Sequence, residues 1–288
     1  MLKIAISSNI SLGNDNDEIN RNIDTIKAKE LAQAKLAELR WKQEELKNSN
    51  QTLASTAEHQ SAPTEVILDK NDVIEEGLNT PELKKRGGSK SKKKKMRCLF
   101  WNVRGLGNKA RRRQLKVVIK ERDVDLLCVQ ETKKESFTNK ELNSFQGDKS
   151  FSRSWKAARG ASGGILIGIN SELMEVLENH VGAFFLSCLV KTKCDNFCWE
   201  FIGVYGPVND SLKPVFLDDL RWHIQFRQHP YIIGGDLNMY RFASEKSNTN
   251  LDTRAMGLFN SFISYFDLRD LYRSGPRFTW TNKQDTPT

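Results

Sequence analysis

Four short polar clusters hold the residue types that could do chemistry, and each follows an apolar run. They are Trp101-Asn102-Val103-Arg104-Gly105, Gln130-Glu131-Thr132, Tyr205-Gly206-Pro207 and Gly234-Gly235-Asp236-Leu237-Asn238. Together they supply two carboxylates, carboxamides and a phenol, a set that suits a phosphate ester. Glu131 offers a carboxylate to a hard divalent cation such as Mg²⁺, which keeps most of its waters and needs few protein oxygens. Asn102 could add a carbonyl oxygen to that ion or donate to a phosphate. Asp236 and Asn238 are two apart, so in an extended segment both point to one side. There the carboxylate could orient or deprotonate a water while the amide holds it or a phosphate oxygen. The Tyr205 phenol could donate to a phosphate oxygen or stabilise charge on a leaving oxygen. Each cluster also has a plainer reading: a loop cap for Glu131, an Asx-turn for Asp236 and Asn238, packing for Tyr205. No histidine follows His229, so the last segment offers no imidazole for acid-base work.

The runs ahead of the clusters, CLF, DLLCV, FIGV and YIIGG, read as buried strands. Apolar runs recur at 98–103, 124–130, 164–169, 183–190, 197–204 and 230–235, with helical candidates at 109–121, 211–227 and 253–267. The turn Lys193-Cys194-Asp195-Asn196 makes a hairpin of two neighbouring runs. A close hairpin demands antiparallel pairing, so the expectation is mixed α+β rather than a doubly wound sheet. Cys194 and Cys198 flank that turn without a second Cys or His pair to complete a zinc site, and read as cross-strand packing. His223 and His229 read as structural. The stretch Gly105 to Ala110 fits a dinucleotide-binding G-x-G-x-x-A, but the hairpin does not suit the parallel sheet that pattern needs. Arg159 to Gly164 reads as a glycine turn into a strand.

The 288-residue chain has a net charge of +9, which favours polyanionic partners such as DNA. Five cysteines, an odd number, fit a reduced intracellular setting, so a secreted protein is not expected. The opening MLKIAISSNI is too short and too quickly polar for a signal or a span, and no membrane association is expected. Residues 1–95 read as an N-terminal extension with one aromatic, Trp41, and 96–288 as the folded domain. An amphipathic helix is expected over about 17–47. Ala32, Leu39 and Leu46 are spaced by seven, which would allow weak helix–helix self-association. Residues 48–80 read as disordered. A basic run follows, with Lys84, Lys85, Arg86, Lys90, Lys92, Lys93, Lys94 and Lys95. It is either a nuclear-localisation or nucleic-acid patch or a solvated linker. Nucleus or cytoplasm is expected, and the basic run favours the nucleus.

The motifs WNVRGL, QETK, SGGILIG, VYGP, GGDLN and FTWTN, in this order, resemble the endonuclease/exonuclease/phosphatase superfamily over residues 96–288. They look most like the endonuclease of plant LINE-type (non-LTR) retrotransposons. The resemblance implies a four-layer, DNase I-like α/β sandwich of two largely antiparallel sheets. It also implies Mg²⁺-dependent hydrolysis of DNA phosphodiesters, with Mn²⁺ as the alternative ion. Carried over, Asn102 lies near the metal, Glu131 binds it, Tyr205 faces the phosphate, Asp236 activates water and Asn238 is its partner. Arg104, in the style of the plant elements, joins the basic run as a nucleic-acid contact. The family continues past FTWTN with a Leu-Asp-Arg strand and a Ser-Asp-His segment, and this sequence stops at Thr288, before both. The expectation is a fold missing its last strands and impaired in catalysis. The alternatives are a non-catalytic nucleic-acid-binding or helix-interaction protein, and a phosphatase of small phosphate esters.

Overall fold

Strands that are apolar on both faces must be covered on both, and β-sheets here are stacked between helices for that reason. A computed structural model describes residues 2–7, 60–61, 63–68, 95–159, 162–246, 251–271 and 280–281. In chain order the first elements are β1 (Leu2–Ser7), β2 (Gln60–Ser61), β3 (Thr64–Leu68), β4 (Met96–Asn102), α1 (Lys109–Glu121), β5 (Leu126–Gln130), α2 (Asn139–Ser144), β6 (Phe151–Arg159) and β7 (Ser162–Asn170). There follow β8 (Met174–Val181), β9 (Phe185–Thr192), β10 (Cys198–Tyr205), α3 (Lys213–Ile224), β11 (Tyr231–Asp236), α4 (Thr253–Tyr265), β12 (Arg269–Asp270) and β13 (Trp280–Thr281). One sheet has the order β12-β1-β11-β10-β9-β8, a second β3-β4-β5-β7-β6, and β13 pairs with β2. Most pairs are antiparallel, but β4 runs parallel to β5 and β10 parallel to β11. The fold is a mixed α+β sandwich of two sheets with few helices. Among the described residues no helix is long and apolar enough to cross a membrane.

Three apolar clusters define four layers. Between the sheets, Cys98, Phe100, Cys128 and Ile167 meet Leu186, Cys188, Phe201 and Ile232. The outer face of one sheet, with Ile202 and Ile233, packs on Phe216 and Leu220 of α3 and on Phe259 and Phe262 of α4. The outer face of the other, with Leu99, Trp101 and Val129, packs on Leu115 and Ile119 of α1 and Leu142 of α2. Asn108 caps α1 by accepting from the Ala110 N–H at 2.7 Å. Thr138 and Glu141 form a reciprocal capping box on α2.

Several expectations need correcting. Residue 95 does not divide an extension from the fold. Leu2–Ser7 runs antiparallel along β11, and Thr64–Leu68 runs antiparallel along β4. Val66 is buried among the inter-sheet residues, and Glu65 pairs with Arg122 at 2.7 Å. Disorder over 48–80 therefore fails at 60–61, which pairs with β13, and at 64–68, where a short run with Thr64, Val66 and Ile67 gains stability from a sheet that its polar flanks gave no hint of. The strands beside β11 and β4 are filled by β1 and β3. The helix expected over 17–47 and the basic run up to residue 94 lie outside the described residues. Cys194 is exposed in the hairpin turn and Cys198 faces Lys191, so the two thiols are not cross-strand partners. The glycine-rich 105–110 stretch does sit between parallel β4 and β5, but antiparallel β3, β7 and β6 complete that sheet, which is not a dinucleotide-binding arrangement.

Candidate active site

Parallel pairing aligns the ends that carry the polar residues. In the register of β4 and β5, Asn102 is level with Gln130, so Glu131 emerges one residue on. In the register of β10 and β11, Tyr205 is level with Asp236. The two pairs belong to different sheets, and a hydrogen bond across the sandwich joins them: Asn102 Nδ2 donates to Asp236 Oδ2 at 2.9 Å. Asn102 Oδ1 accepts from the Arg104 backbone N–H at 3.2 Å. The carboxamide is thus fixed at both ends, and its acceptor end is engaged by protein.

Asp236 Oδ1 accepts from the Asn238 backbone N–H at 3.3 Å. Asn238 Nδ2 in turn donates to the Gly206 carbonyl at 2.8 Å, tying the loop after β11 to the loop after β10. The two residues do not converge by lying in extended chain. β11 ends at Asp236, and Asn238 has φ 50°, so a turn brings its backbone back to the carboxylate. Gly235 is needed here. Its φ is 142°, and a Cβ on it would run into the Val204 carbonyl.

Glu131 also sits at positive φ, 53°, as do Arg104 at 52° and Lys133 at 53°. Non-glycine residues there are uncommon, and their clustering at strand ends marks a backbone held against its preference. The holding bonds are visible. Val103 N–H donates to the Gln130 carbonyl, Leu106 N–H to that of Thr132, and the Thr132 and Lys133 N–H groups to Gly164 and Gly163. The Glu131 carboxylate pairs with Lys133 Nζ at 3.1 Å and accepts from the Tyr205 phenol.

The electrostatics follow from burial and charge. Burial, then the charges of Glu131 and Asp236 and the hydrogen bond to Glu131, push the Tyr205 phenol well above its ordinary range, with Arg104 opposing. Tyr205 is therefore a donor at neutral pH and no base. Burial works to raise the Asp236 carboxyl, but nearby positive charge, the Asn102 carboxamide and the Asn238 N–H outweigh it and hold it below the usual range. Asp236 is thus a buried carboxylate held in its ionised form.

The structure therefore brings Asn102, Glu131, Tyr205, Asp236 and Asn238 together, with Arg104 alongside. Of the basic run only Lys95 is among the described residues. Lys95 precedes β4, at the far end of the strand from Asn102, about 20 Å away at the rise of an extended chain. Sequence reasoning passed over Lys133, although QETK contains it. It also passed over the Gly163 and Gly164 backbone that pins the Glu131 loop, for which SGGILIG was the available signal. Among the described residues no imidazole joins the cluster. His223 Nε2 is 2.8 Å from Glu200 Oε1, at the other end of β10, and His229 is exposed.

Among the described residues no three His, Cys, Asp or Glu side chains gather at one point. The donor set is instead Glu131 and Asp236, with carboxamides between. Carboxylate oxygens in that number fit an ion such as Mg²⁺, which is held through one or two carboxylates and keeps several waters. They do not fit zinc.

A search of curated proteins finds no match. Among solved structures, the AP endonuclease LMAP of Leishmania major is 16% identical with a TM-score of 0.46. That match covers 59% of this chain and 66% of that one, so the chain spans just under two thirds of that enzyme's length. An AP endonuclease of Archaeoglobus fulgidus is 14% identical, covering 58% of this chain and 70% of that one, at a TM-score of 0.46. A 3'-5' exonuclease of Neisseria meningitidis is 15% identical with the same coverages and score. Residues 99–288 match the family model described as Endonuclease/Exonuclease/phosphatase family, which is well over half of the chain. The chain belongs to the endonuclease/exonuclease/phosphatase family.

Proposed function

We propose that this chain is a divalent-metal-dependent phosphodiesterase acting on DNA, of retroelement endonuclease type, with slow turnover. The observation that carries the reading is the bond between Asn102 and Asp236, which joins the two sheets at the ends where Glu131 and Tyr205 also emerge. In this reading Asp236, ionised and oriented by Asn102 and Asn238, positions a water and accepts its proton. Tyr205, held as a phenol, donates to a phosphate oxygen. Glu131, with Asn102 nearby, would hold a divalent cation of the kind this family's enzymes generally use, which would supply charge stabilisation to the phosphate. Arg104, whose charge reaches Tyr205, faces the same negative substrate.

The slow turnover rests on the chemistry of the described residues at the cluster. They include one phenol donor and no imidazole. Lacking one preorganised donor to developing charge typically costs about 10²–10³ in rate. DNA is favoured over small phosphate esters by the WNVRGL style and by the net charge of +9, and the basic run extends that expectation toward a nuclear protein. The test is relaxation of supercoiled plasmid in Mg²⁺. The expected result is slow nicking, lost on chelation and lost in Asp236→Ala. Relaxation that survives Asp236→Ala would remove the assignment. DNA binding with no relaxation at all would leave a non-catalytic binding protein.

A further inference from the structure

Helices α3 and α4 pack side by side on the outer face of one sheet, which they cover with Phe216, Leu220, Phe259 and Phe262. Near their C-terminal ends the outward side is apolar as well. Phe226, just past α3, is 49% exposed, and Tyr265, the last residue of α4, is 69% exposed. Leu258, two turns before Tyr265, is exposed too. Trp222 packs on Phe226 with ring centroids 6.5 Å apart, and the Arg221 guanidinium lies over the Tyr265 ring at 5.6 Å. That contact joins the two helices into one aromatic face. Exposed apolar residues scattered singly are ordinary, whereas contiguous ones mark an interaction surface.

The polar atoms within the face carry the same message. Arg221 Nε and Gln225 Nε2, one turn apart, are shielded from water and have no acceptor among the described residues. Buried donors are ordinarily hydrogen-bonded. The face thus calls for apolar cover that carries an acceptor.

The chain itself passes close by. β1 runs along β11 from Leu2, level with Asp236, to Ser7, level with Tyr231, so it leaves the sheet at the end away from the carboxylate cluster. Tyr231 is five positions past Phe226. On its other side, Ile6 is level with Arg269, four positions past Tyr265. The chain therefore leaves β1 beside the point where α3 and α4 both end. Residues 8–16 come next and can span roughly 30 Å when extended. After them comes the stretch 17–47, whose spacing predicts an amphipathic helix.

We infer that the outer face of α3 and α4 is a docking surface for this chain's own segment 17–47, seated through Ala28, Ala32, Leu36, Leu39 and Leu46. An amphipathic helix laid in an apolar groove uses anchors at this kind of spacing. Ala28 and Ala32 are small enough to admit the large rings of the face. Gln43, which interrupts the stripe, brings a carboxamide oxygen to the donors of Arg221 and Gln225. The connection through β1 makes docking intramolecular, at an effective concentration on the order of millimolar, so a contact too weak to hold two separate proteins suffices.

The test is amide hydrogen exchange of the whole chain, with light scattering for its mass. Helices in proteins owe most of their stability to packing of one face. Amides of 28–46 should therefore exchange at least about tenfold more slowly in the native chain than in the double variant Phe226→Asp, Tyr265→Asp. Both of those changes fall on exposed side chains. Leu39→Asp, on the other side of the contact, should release the same amides and also quicken exchange in the last turn of α4. Amides of β5, in the other sheet, should stay protected in every variant. If the double variant loses them, the α4 amides in Leu39→Asp decide. The mass should remain that of one chain. Rapid exchange of 28–46 in the native chain, or protection that survives the double variant, overturns the inference. So does protection that falls on dilution with the mass of two chains, which would assign the face to a second copy. Nicking is not read, so the outcome is independent of the phosphodiesterase reading.

Discussion

Strand β10 carries a buried carboxylate at one end and a half-buried phenol at the other, and the two ends are built on different principles. At its start, Glu200 is 2% exposed and lies 2.8 Å from His223 Nε2 and 3.5 Å from Arg227 Nε. Arg227 also donates to His223 Nδ1 at 3.0 Å. A guanidinium only donates, so Nδ1 accepts and Nε2 carries the proton given to Glu200. His180 stacks on His223 with ring centroids 4.8 Å apart. This cluster fastens α3 to its sheet and needs no unusual backbone. At its end, Tyr205 meets two carboxylates from two sheets, in loops whose residues Arg104, Glu131, Lys133 and Asn238 all take positive φ. The first end contains the imidazole that sequence inspection hunts for, yet its groups face one another. The second end has groups aimed at a common space, held there against local preference. Convergence with backbone strain, rather than residue type, separates a site from a buried network.

The contrast can be broken most directly by changing one polar side chain at each end. Asp236→Asn should lower the nicking rate by roughly 10²–10⁴, the range for a positioned general base, with the circular dichroism spectrum unchanged. A rate within a few-fold of the native one would mean that the strained end is not the site. His223→Leu should act on stability instead. It leaves Glu200 buried without its imidazole, which costs about 3–5 kcal/mol when one partner of a buried pair is lost. Urea denaturation measures that, while nicking per folded molecule should hold. A nicking loss equal to that of Asp236→Asn would join the two ends into one functional unit.

Gly235→Ala sharpens the contrast at the backbone. Its φ of 142° and the Val204 carbonyl in the path of a Cβ predict a loss of about 1–3 kcal/mol, with nicking reduced as Asp236 shifts. The smallest effect should be in pH. Burial, then the neighbouring His223 and the Arg227 guanidinium, lower His180 to about 4 from its ordinary 6.5, with Glu200 opposing. The unfolded chain therefore binds more protons between those values, and stability should fall as pH drops from 6.5 toward 4. His180→Asn should flatten the fall. An unchanged slope in thermal melts across that window would show that the stack does not govern it.

The legible part of the molecule was the part with strong periodicity. The helix over 109–121 and the runs preceding Asn102, Glu131, Tyr205 and Asp236 stand out because strands buried on both faces read as continuous apolar stretches. Strands β6 and β8 do not. FSRSWKAAR is half-buried, and MEVLENHV lies at a sheet edge with most of its residues exposed, so neither produces an apolar run. Four of the five site residues were findable because each closes such a run, and Asn238 because it lies two positions past Asp236. How they touch was not. The bond from Asn102 to Asp236 spans 134 positions, and the left-handed turn at Asn238 replaces the extended geometry that its spacing suggested. That Lys156 and Arg159 line a cavity together with Tyr205 was not legible either, since β6 and β10 belong to different sheets and meet only when the sheets pack.

The pairing of Leu2–Ser7 with β11 sets Leu2 opposite Asp236. A ribosome makes the first of these strands long before the second. At synthesis rates of about 5–20 residues per second, the interval is on the order of tens of seconds. Through that time β1 has no β11 to join, and when β11 emerges its edge is open until the two meet across a very long loop. Contacts so distant in sequence slow folding. The edge of the sheet that bears Asp236 is thus the last to be sealed during biosynthesis, and the first place where a nascent chain would offer an unpaired strand to a neighbour.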